Sequence, residues 1–370
     1  MVPPSEEYNN DSRLCAAYDL EVKYLTDIFN IILNVILGLL VLTVLVVAHE
    51  FGHFLVGRKC GIKVLEFSAG FGPKVISKIK NGIRYSLRAL PLGGFVSFLG
   101  EDEDIPDDPA AFNNRPKWQR LVTLLAGPLA NILVALVLTI GVLTIFGDAT
   151  PVVYKVDSGS NAEAAGLMPG DRIVEVNGKR IDFSMEFSSS VLLAGDDFVD
   201  IGVERDGSTI RKTVALSEKA DGYKYMGISI VNERRQFGFF EAIGLSFKWM
   251  YLIIEQTFVS LGRIIFAGKG AADMAGPIGI STLVGNAVRT GPEIFMRIAA
   301  LISISLGIMN LLPFPALDGG RVVLLGVEAV RKKPLPRDKE GYINFAGLII
   351  LFGLMIFVTY NDIVRLISGG

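Results

Sequence analysis

The chain has 370 residues, of which 51% are hydrophobic, and its mean hydropathy is +0.46. Soluble proteins of this length are much less apolar, so the composition indicates a membrane protein. The net charge is close to zero, at -2, and gives no support for a nucleic-acid partner.

Residues 1–27 are polar and acidic and lack the basic start and short apolar core of a signal peptide, so we expect a flexible N-terminal tail. Residues 28–48 carry no charge over 21 positions, which is about 30 Å of helix and enough to cross a bilayer. We therefore expect transmembrane helix 1, with its metal motif, over residues 28–57. Acidic residues precede it and basic residues follow it, so the positive-inside rule predicts an extracytoplasmic N terminus.

The two histidines of the chain, His49 and His53, stand at the end of this apolar run in an H-E-x-x-H sequence. On a helix they lie one turn apart on the same face, which is the spacing that binding one zinc ion requires. Zinc lowers the pKa of a bound water from about 15.7 towards roughly 7, and Glu50, beside the metal, can take the proton. The alternative is an amphipathic helix that matches the motif by chance, although such a polar cluster is costly inside a membrane.

Residues 58–118 are too charged for a membrane span. Segments separated by glycine predict a small sheet or hairpin on the cytoplasmic side, followed by an acidic loop from Glu101 to Asp108. The adjacent Gly93 and Gly94 let another backbone approach closely, so an edge of this sheet can accept an extended peptide. A simple turn at these glycines is the alternative.

Transmembrane helix 2 is predicted over residues 119–147 and contains Asn131. A buried asparagine bonds to a neighbouring helix or to a substrate backbone, and we favour the contact between helices. Residues 150–232 then change character to a compact α/β unit with a hairpin turn at Asn177 and Gly178. Together with the preceding Pro-Gly-Asp strand, this pattern resembles the core of a PDZ domain, as found in bacterial proteases.

Residues 237–285 are apolar but carry three charges at intervals of seven residues. This spacing puts the charges on one helix face, so we expect an amphipathic helix on the membrane surface followed by a loop.

Asp318 is the first charged residue after Arg297, and an intramembrane aspartate is a candidate functional residue. It lies 20 residues after Ile298, and His49 lies 21 residues after Ile28, so both side chains are expected at the same membrane depth. Because the chain has no third histidine, we expect Asp318 to be the third zinc ligand. An ion pair between Asp318 and Arg321 at the membrane edge is the alternative.

Transmembrane helix 3 is expected over residues 294–330, a basic cytoplasmic loop over 331–341 and transmembrane helix 4 over 342–366. The predicted fold is a polytopic α-helical membrane protein with about four transmembrane helices. It also contains a membrane-associated β-hairpin or sheet and one inserted extracytoplasmic α/β PDZ domain. Both termini are expected outside the cytoplasm, with the zinc site towards the cytoplasmic side.

Five segments follow one another in the order found in the site-2 protease family: residues 49–54, 93–95, 126–131, the PDZ core and 310–321. The chain resembles this family over about residues 28–365, in particular the bacterial membrane metalloproteases that cut anti-sigma factors. The best-studied branch carries two PDZ domains, whereas this chain has room for one.

The resemblance implies a zinc endopeptidase of the bacterial inner membrane. Its substrates would be single-span membrane proteins, such as anti-sigma factors or remnant signal peptides, with a peptide or substrate end at the PDZ domain. The zinc ligands would be His49, His53 and Asp318, with Glu50 as the general base. The residues that would contact the substrate are Asn310, Gly93, Gly94, Phe95 and, as the alternative to a helix contact, Asn131.

Two other classes of protein fit part of the pattern. A metal transporter also places histidine and aspartate within the membrane, but it rarely needs a PDZ domain or a general base between its ligands. A PDZ scaffold with an inert membrane anchor would bind no stoichiometric metal.

Overall fold

The structure is a computed structural model that describes residues 7–101, 103, 105–192, 197–218, 224–267, 276–333 and 335–368. The chain divides into two compact units, residues 1–138 with 250–370, and residues 139–249. The helices are α1 (Glu7–Lys59), α2 (Lys117–Ile145), α3 (Asn161–Ala164), α4 (Ser184–Leu192), α5 (Phe239–Ala267), α6 (Pro277–Thr290), α7 (Pro292–Leu311), α8 (Asp318–Arg331) and α9 (Arg337–Ser368).

Four helical segments within the described residues are long and apolar enough to cross a membrane. They are Phe29–Lys59 in α1, Lys117–Ile145, Pro292–Leu311 and Asp338–Arg365 in α9. This is the number of spans predicted from the sequence. The amphipathic helix α5 is not among them, and its position on the membrane surface stays a prediction.

Helix α1 extends well beyond the predicted first span. It begins at Glu7, so the prediction of a flexible tail is wrong for residues 7–27. The chain has no proline or glycine between Ser5 and Gly38, and this segment contains several good helix formers, such as alanine, leucine and glutamate. The helix of the first span therefore continues backwards through the polar segment. Residues 1–6 lie outside the described part of the chain.

The region after α1 forms one long hairpin from β1 (Val64–Lys80) and β2 (Ile83–Phe98). Residues 64–69 pair with 94–98 on one side and with 84–87 on the other, and residues 74–80 pair with 83–88. Within the described residues, no strand pairs with the outer side of residues 94–98, which we call the hairpin edge. The hairpin is tied to α1 by the Thr43 hydroxyl, which donates to the Pro91 carbonyl at 2.6 Å.

The second unit contains the remaining strands: β3 (Asp148–Val156), β4 (Arg172–Val176), β5 (Lys179–Arg180), β6 (Phe198–Arg205), β7 (Ser208–Ala215), β8 (Ser217–Glu218), β9 (Lys224–Tyr225) and β10 (Ile228–Arg235). The main sheet has the order β10, β3, β4, β6, β7, with β5 paired to β4. Asn177 and Gly178, both with positive φ, form the predicted turn between β4 and β5. Buried aliphatic side chains fill the space between this sheet and the helices α3 and α4. This arrangement is the inserted PDZ domain that the sequence predicts.

The predicted third transmembrane helix, residues 294–330, is two helices, α7 and α8. They are separated by residues 312–317, where Pro313 and Pro315 cannot continue the backbone hydrogen bonding of α7. Helix α6 was not predicted, because its glycines and Pro277 indicated a loop. It contacts α1 through Asn34, which donates from Nδ2 to Asn286 Oδ1 at 2.7 Å.

Candidate metal centre

Helix α1 presents His49 and His53 on one face, one turn apart. Both side chains are buried, with exposed fractions of 8%. Their Nε2 atoms lie 3.2 Å from each other. The helix therefore directs two metal-binding nitrogens at one point, as the H-E-x-x-H spacing predicts.

The break between α7 and α8 brings Asp318 to the same point. Its Oδ2 lies 3.0 Å from His49 Nε2 and 3.3 Å from His53 Nε2. Gly319 makes this approach possible, because a β-carbon there would lie 2.3 Å from the Leu311 carbonyl oxygen. Arg321 pairs with Glu101 and not with Asp318, so the geometry does not favour the alternative ion pair.

The separations of the three atoms fit a zinc ion. Ligand atoms about 2.0–2.1 Å from a tetrahedral zinc lie about 3.3 Å apart, close to the distances seen here. Gly127 of α2 leaves the space between the ligands open, because a β-carbon there would lie 2.2 Å from His53 Nε2 and 2.7 Å from His49 Nε2. Two carboxylates, Asp318 and Glu50, also balance the charge of a divalent cation beside neutral histidines. The residues present therefore fit zinc.

Glu50 is half-buried and interacts electrostatically with His49, His53 and Asp318. Its Oε2 accepts a hydrogen bond from the backbone N–H of Val96 at 3.0 Å. Val96 is in the middle of the hairpin edge, so Glu50 lies between the three candidate ligands and a row of backbone groups with which no described strand pairs. Two residues further on, the Phe98 N–H also points outwards and donates to Glu101.

A second layer of groups, all from α2, surrounds the histidines. The Thr123 carbonyl oxygen lies 2.7 Å from His53 Nδ1. Asn131 Nδ2 lies 3.3 Å from His49 Nδ1, and the asparagine is fully buried. The side chain of Asn131 is enclosed behind a candidate ligand and has no exposed surface, so the geometry favours a contact between helices over a contact with substrate. Its contact with another helix agrees with the favoured alternative.

The other predicted substrate-binding residues lie on the hairpin and near the end of α7. Gly93 and Gly94 are buried at the start of the hairpin edge. Phe95 stacks on Phe71 at a ring distance of 6.0 Å and lies under the Arg88 guanidinium. Asn310 is half-buried near the end of α7 and donates to the Leu306 carbonyl of its own helix at 3.0 Å. A substrate contact by these four residues stays a prediction.

Three residues of the site were not predicted as such. Thr123 and Val96 act through a backbone carbonyl and a backbone N–H, which every residue type except proline provides, so no sequence signal identifies them. Gly127 does have a signal, since a Gly-Pro pair inside an apolar span requires a local reason.

The fold and the site together define a polytopic membrane metalloprotease. Residues 37–354 match the family described as Peptidase family M50, and the chain belongs to that family. The chain is thus a zinc metalloprotease, and the predicted enzyme class, cofactor and fold class are confirmed. Membership of this family also sets aside the transporter and scaffold alternatives.

Individual relatives agree with this assignment. The chain is 34% identical over 340 residues to a Clostridium acetobutylicum protein named "Putative zinc metalloprotease", covering 90% of this chain and 97% of that one. It is 31% identical over 411 residues to "Zinc metalloprotease RasP" of Geobacillus kaustophilus, covering 89% and 97%. Among solved structures, the PDZ domain of an SdrC-like protein from Listeria monocytogenes is 26% identical, with a TM-score of 0.21, and the match covers 22% of this chain and 87% of that domain.

Proposed function

We propose that this protease hydrolyses peptide bonds within or near the transmembrane segment of single-span membrane proteins, such as anti-sigma factors or remnant signal peptides. The observation that carries the proposal is the contact between Glu50 and Val96. It puts the open hairpin edge next to the candidate base, which lies with His49 and His53 within the candidate span Phe29–Lys59. The third candidate ligand, Asp318, follows the candidate span Pro292–Leu311.

In this proposal, His49, His53 and Asp318 hold the zinc ion. When bound, zinc polarises the scissile carbonyl and makes water a stronger nucleophile near neutral pH. Glu50 takes a proton from the attacking water on its carboxylate and then delivers it to the amine that leaves when the C–N bond breaks. The surrounding protein keeps the histidines oriented and buries the reacting groups.

A transmembrane substrate must lose its helix before it can be cut, because helical hydrogen bonds enclose its peptide groups. The hairpin edge offers replacement partners, since its outward N–H groups can pair with the carbonyls of an extended chain. Asn310, at the end of α7, is proposed as a further donor to the substrate backbone. Gly93, Gly94 and Phe95 are proposed to form the part of the hairpin that clamps the unwound segment.

We further propose that the protein lies in a bacterial inner membrane with its termini and PDZ domain outside the cytoplasm. The basic residues after the first span and between α8 and α9 support this orientation through the positive-inside rule. The PDZ domain would then bind a peptide or substrate end exposed on the outer side.

The test is cleavage of a single-span substrate by the purified protein in liposomes, with Glu50→Gln as the matched control. We expect the wild type to cut within the span, a chelator to stop it, and the variant to bind zinc but lose at least about 100-fold in rate. If the zinc-loaded wild type cuts soluble peptides but none of several single-span substrates, the proposed substrate class is wrong. If Glu50→Gln cuts as fast as the wild type, Glu50 is not the base.

A further inference from the structure

The polar atoms of Asn131 and His49 are poorly matched for hydrogen bonding. Asn131 Nδ2, a donor, lies 3.3 Å from His49 Nδ1, whereas Asn131 Oδ1 is buried without a hydrogen-bond partner. A histidine that binds metal through Nε2 carries its proton on Nδ1. Two donors would then face each other while a buried acceptor stayed unused, which is the least favourable arrangement of this amide.

A half-turn of the amide removes both problems, since the oxygen and nitrogen of an asparagine have nearly the same shape. We propose that Asn131 Oδ1 accepts a hydrogen bond from His49 Nδ1–H and so holds the ring in the tautomer whose Nε2 lone pair faces His53 and Asp318. Asn131 is then a positioning residue of the metal centre. The inference rests on the proposed function of His49 as a zinc ligand.

His53 has the same arrangement with a different acceptor. Its Nδ1 lies 2.7 Å from the Thr123 carbonyl oxygen, which can only accept a hydrogen bond. Helix α2 would therefore supply one hydrogen-bond acceptor to each histidine. At position 131 this acceptor must come from the side chain, because the backbone carbonyl has another partner. The backbone carbonyl of Asn131 is already bonded to the Ser303 hydroxyl at 2.8 Å, which anchors α2 to α7 at this point.

Asn34 provides a matched control. It is also buried, also joins two helices through its amide, and also has an Oδ1 without a partner. Its partner is Asn286 of α6, and neither residue contacts a histidine. Replacing Asn34 by leucine therefore removes an interhelical amide of the same kind while leaving the metal centre untouched.

The first experiment measures zinc affinity by competition with a chelator in the purified full-length protein. We expect Asn131→Leu to bind zinc 10–100-fold more weakly, Asn131→Asp to bind at least as tightly as the wild type, and Asn34→Leu to be unchanged. Wild-type affinity in folded Asn131→Leu, or an equal loss in Asn131→Asp, overturns the proposal. His49→Ala distinguishes a failure of the proposed ligand set from a failure of the positioning role. If His49→Ala keeps the wild-type zinc affinity, the proposed ligand set is wrong. If His49→Ala loses zinc affinity while Asn131→Leu keeps it, only the positioning role of Asn131 is overturned.

The second experiment does not depend on any variant folding. Since the chain contains only two histidines, ¹⁵N-histidine labelling with a histidine-free affinity tag gives four ring nitrogen signals. In the zinc-loaded wild type we expect the His49 Nδ1–H proton signal to lie downfield, as that of a hydrogen-bonded imidazole does, and Asn131→Leu to move it upfield. A His49 Nδ1 that carries no proton in the zinc-loaded wild type, or an Nδ1–H signal that Asn131→Leu leaves unchanged, overturns the proposal.

Discussion

The backbone N–H of Val96 and the carboxylate of Glu50 are joined by a hydrogen bond of 3.0 Å between the hairpin and helix α1. The carboxylate therefore occupies the donor that an added substrate strand would need. A substrate carbonyl that pairs with Val96 would release Glu50 next to the metal ligands.

Val96→Pro tests this relationship because it removes the N–H. Proline is tolerated where the N–H of an edge strand points away from the sheet, as it does here. We expect zinc content to stay at the wild-type level and kcat/KM on a single-span substrate to fall by about tenfold, the value of one hydrogen bond of about 1.4 kcal/mol. Val96→Ala keeps the N–H and should retain most of the activity. Equal activities of the two variants would contradict strand addition at this edge.

Gly127→Ala is expected to prevent zinc binding. Its β-carbon would lie 2.2 Å from His53 Nε2, in the space where the proposed ligands converge. We expect a loss of at least about 100-fold in zinc affinity, which elemental analysis and chelator competition can measure. Gly353→Ala is the control, since it changes a glycine of another membrane-spanning helix at which a β-carbon meets no atom within 4 Å. Stoichiometric, tightly held zinc in Gly127→Ala would place the metal elsewhere.

The hairpin is expected to lose stability in acid through Glu66. Burial alone would raise the pKa of Glu66, but hydrogen bonds from Ser86, Arg88 and Lys74 lower it from 4.5 to about 2. Between pH 4.5 and about 2, the unfolded state binds more protons than the folded state because the folded pKa of Glu66 is lowered. The stabilisation of the hairpin by Glu66 is therefore present above pH 4.5 and is lost as the pH falls towards 2. Hydrogen exchange of β1 and β2, corrected for intrinsic rates, should show this loss in the wild type. In Glu66→Gln, the hydrogen-exchange protection of β1 and β2 should be low and should hardly change over the same pH range. If protection falls with pH in the same way in both proteins, Glu66 is not the cause of the acid sensitivity.

Two arginines of the PDZ domain should differ sharply in their effect on stability. Arg205 holds Asp171, whose side chain is 1% exposed, through bonds of 2.6 and 2.7 Å. Arg211 makes a similar pair with Glu175 but is 73% exposed. Arg205→Ala removes the cation from a buried carboxylate and should clearly lower the midpoint of unfolding, whereas Arg211→Ala should leave the midpoint nearly unchanged. Denaturant unfolding monitored by hydrogen exchange in β4 and β6 checks both expectations, and equal shifts of the midpoint would contradict the argument.

The proximity of the three candidate ligands could be predicted because two simple rules determine it. Helical periodicity puts His49 and His53 on one face, and the thickness of a bilayer sets the depth that His49 and Asp318 share. The structure brings Asp318 to His49 across 269 positions of the sequence.

Features that depend on tertiary contacts could not be predicted in the same way. The start of α1 is polar and acidic, so its composition favoured a tail although it contains helix-forming residues. Helix α6 begins with glycines and proline that are equally common in loops, and its packing against α1 decides its structure. The acceptor for His53 is a backbone carbonyl, and the sequence carries no information on which residue supplies it.

The break that starts α8 at Asp318 also has a consequence for biosynthesis. A nascent chain that ends after the PDZ domain already contains both histidines and Glu50, but the carboxylate ligand is still to be made. Two histidines alone offer zinc an incomplete set of ligands, so the proposed catalytic centre would be completed only after the third span has been inserted. The order of synthesis would thereby keep the chain inactive as a protease until its third span has been inserted.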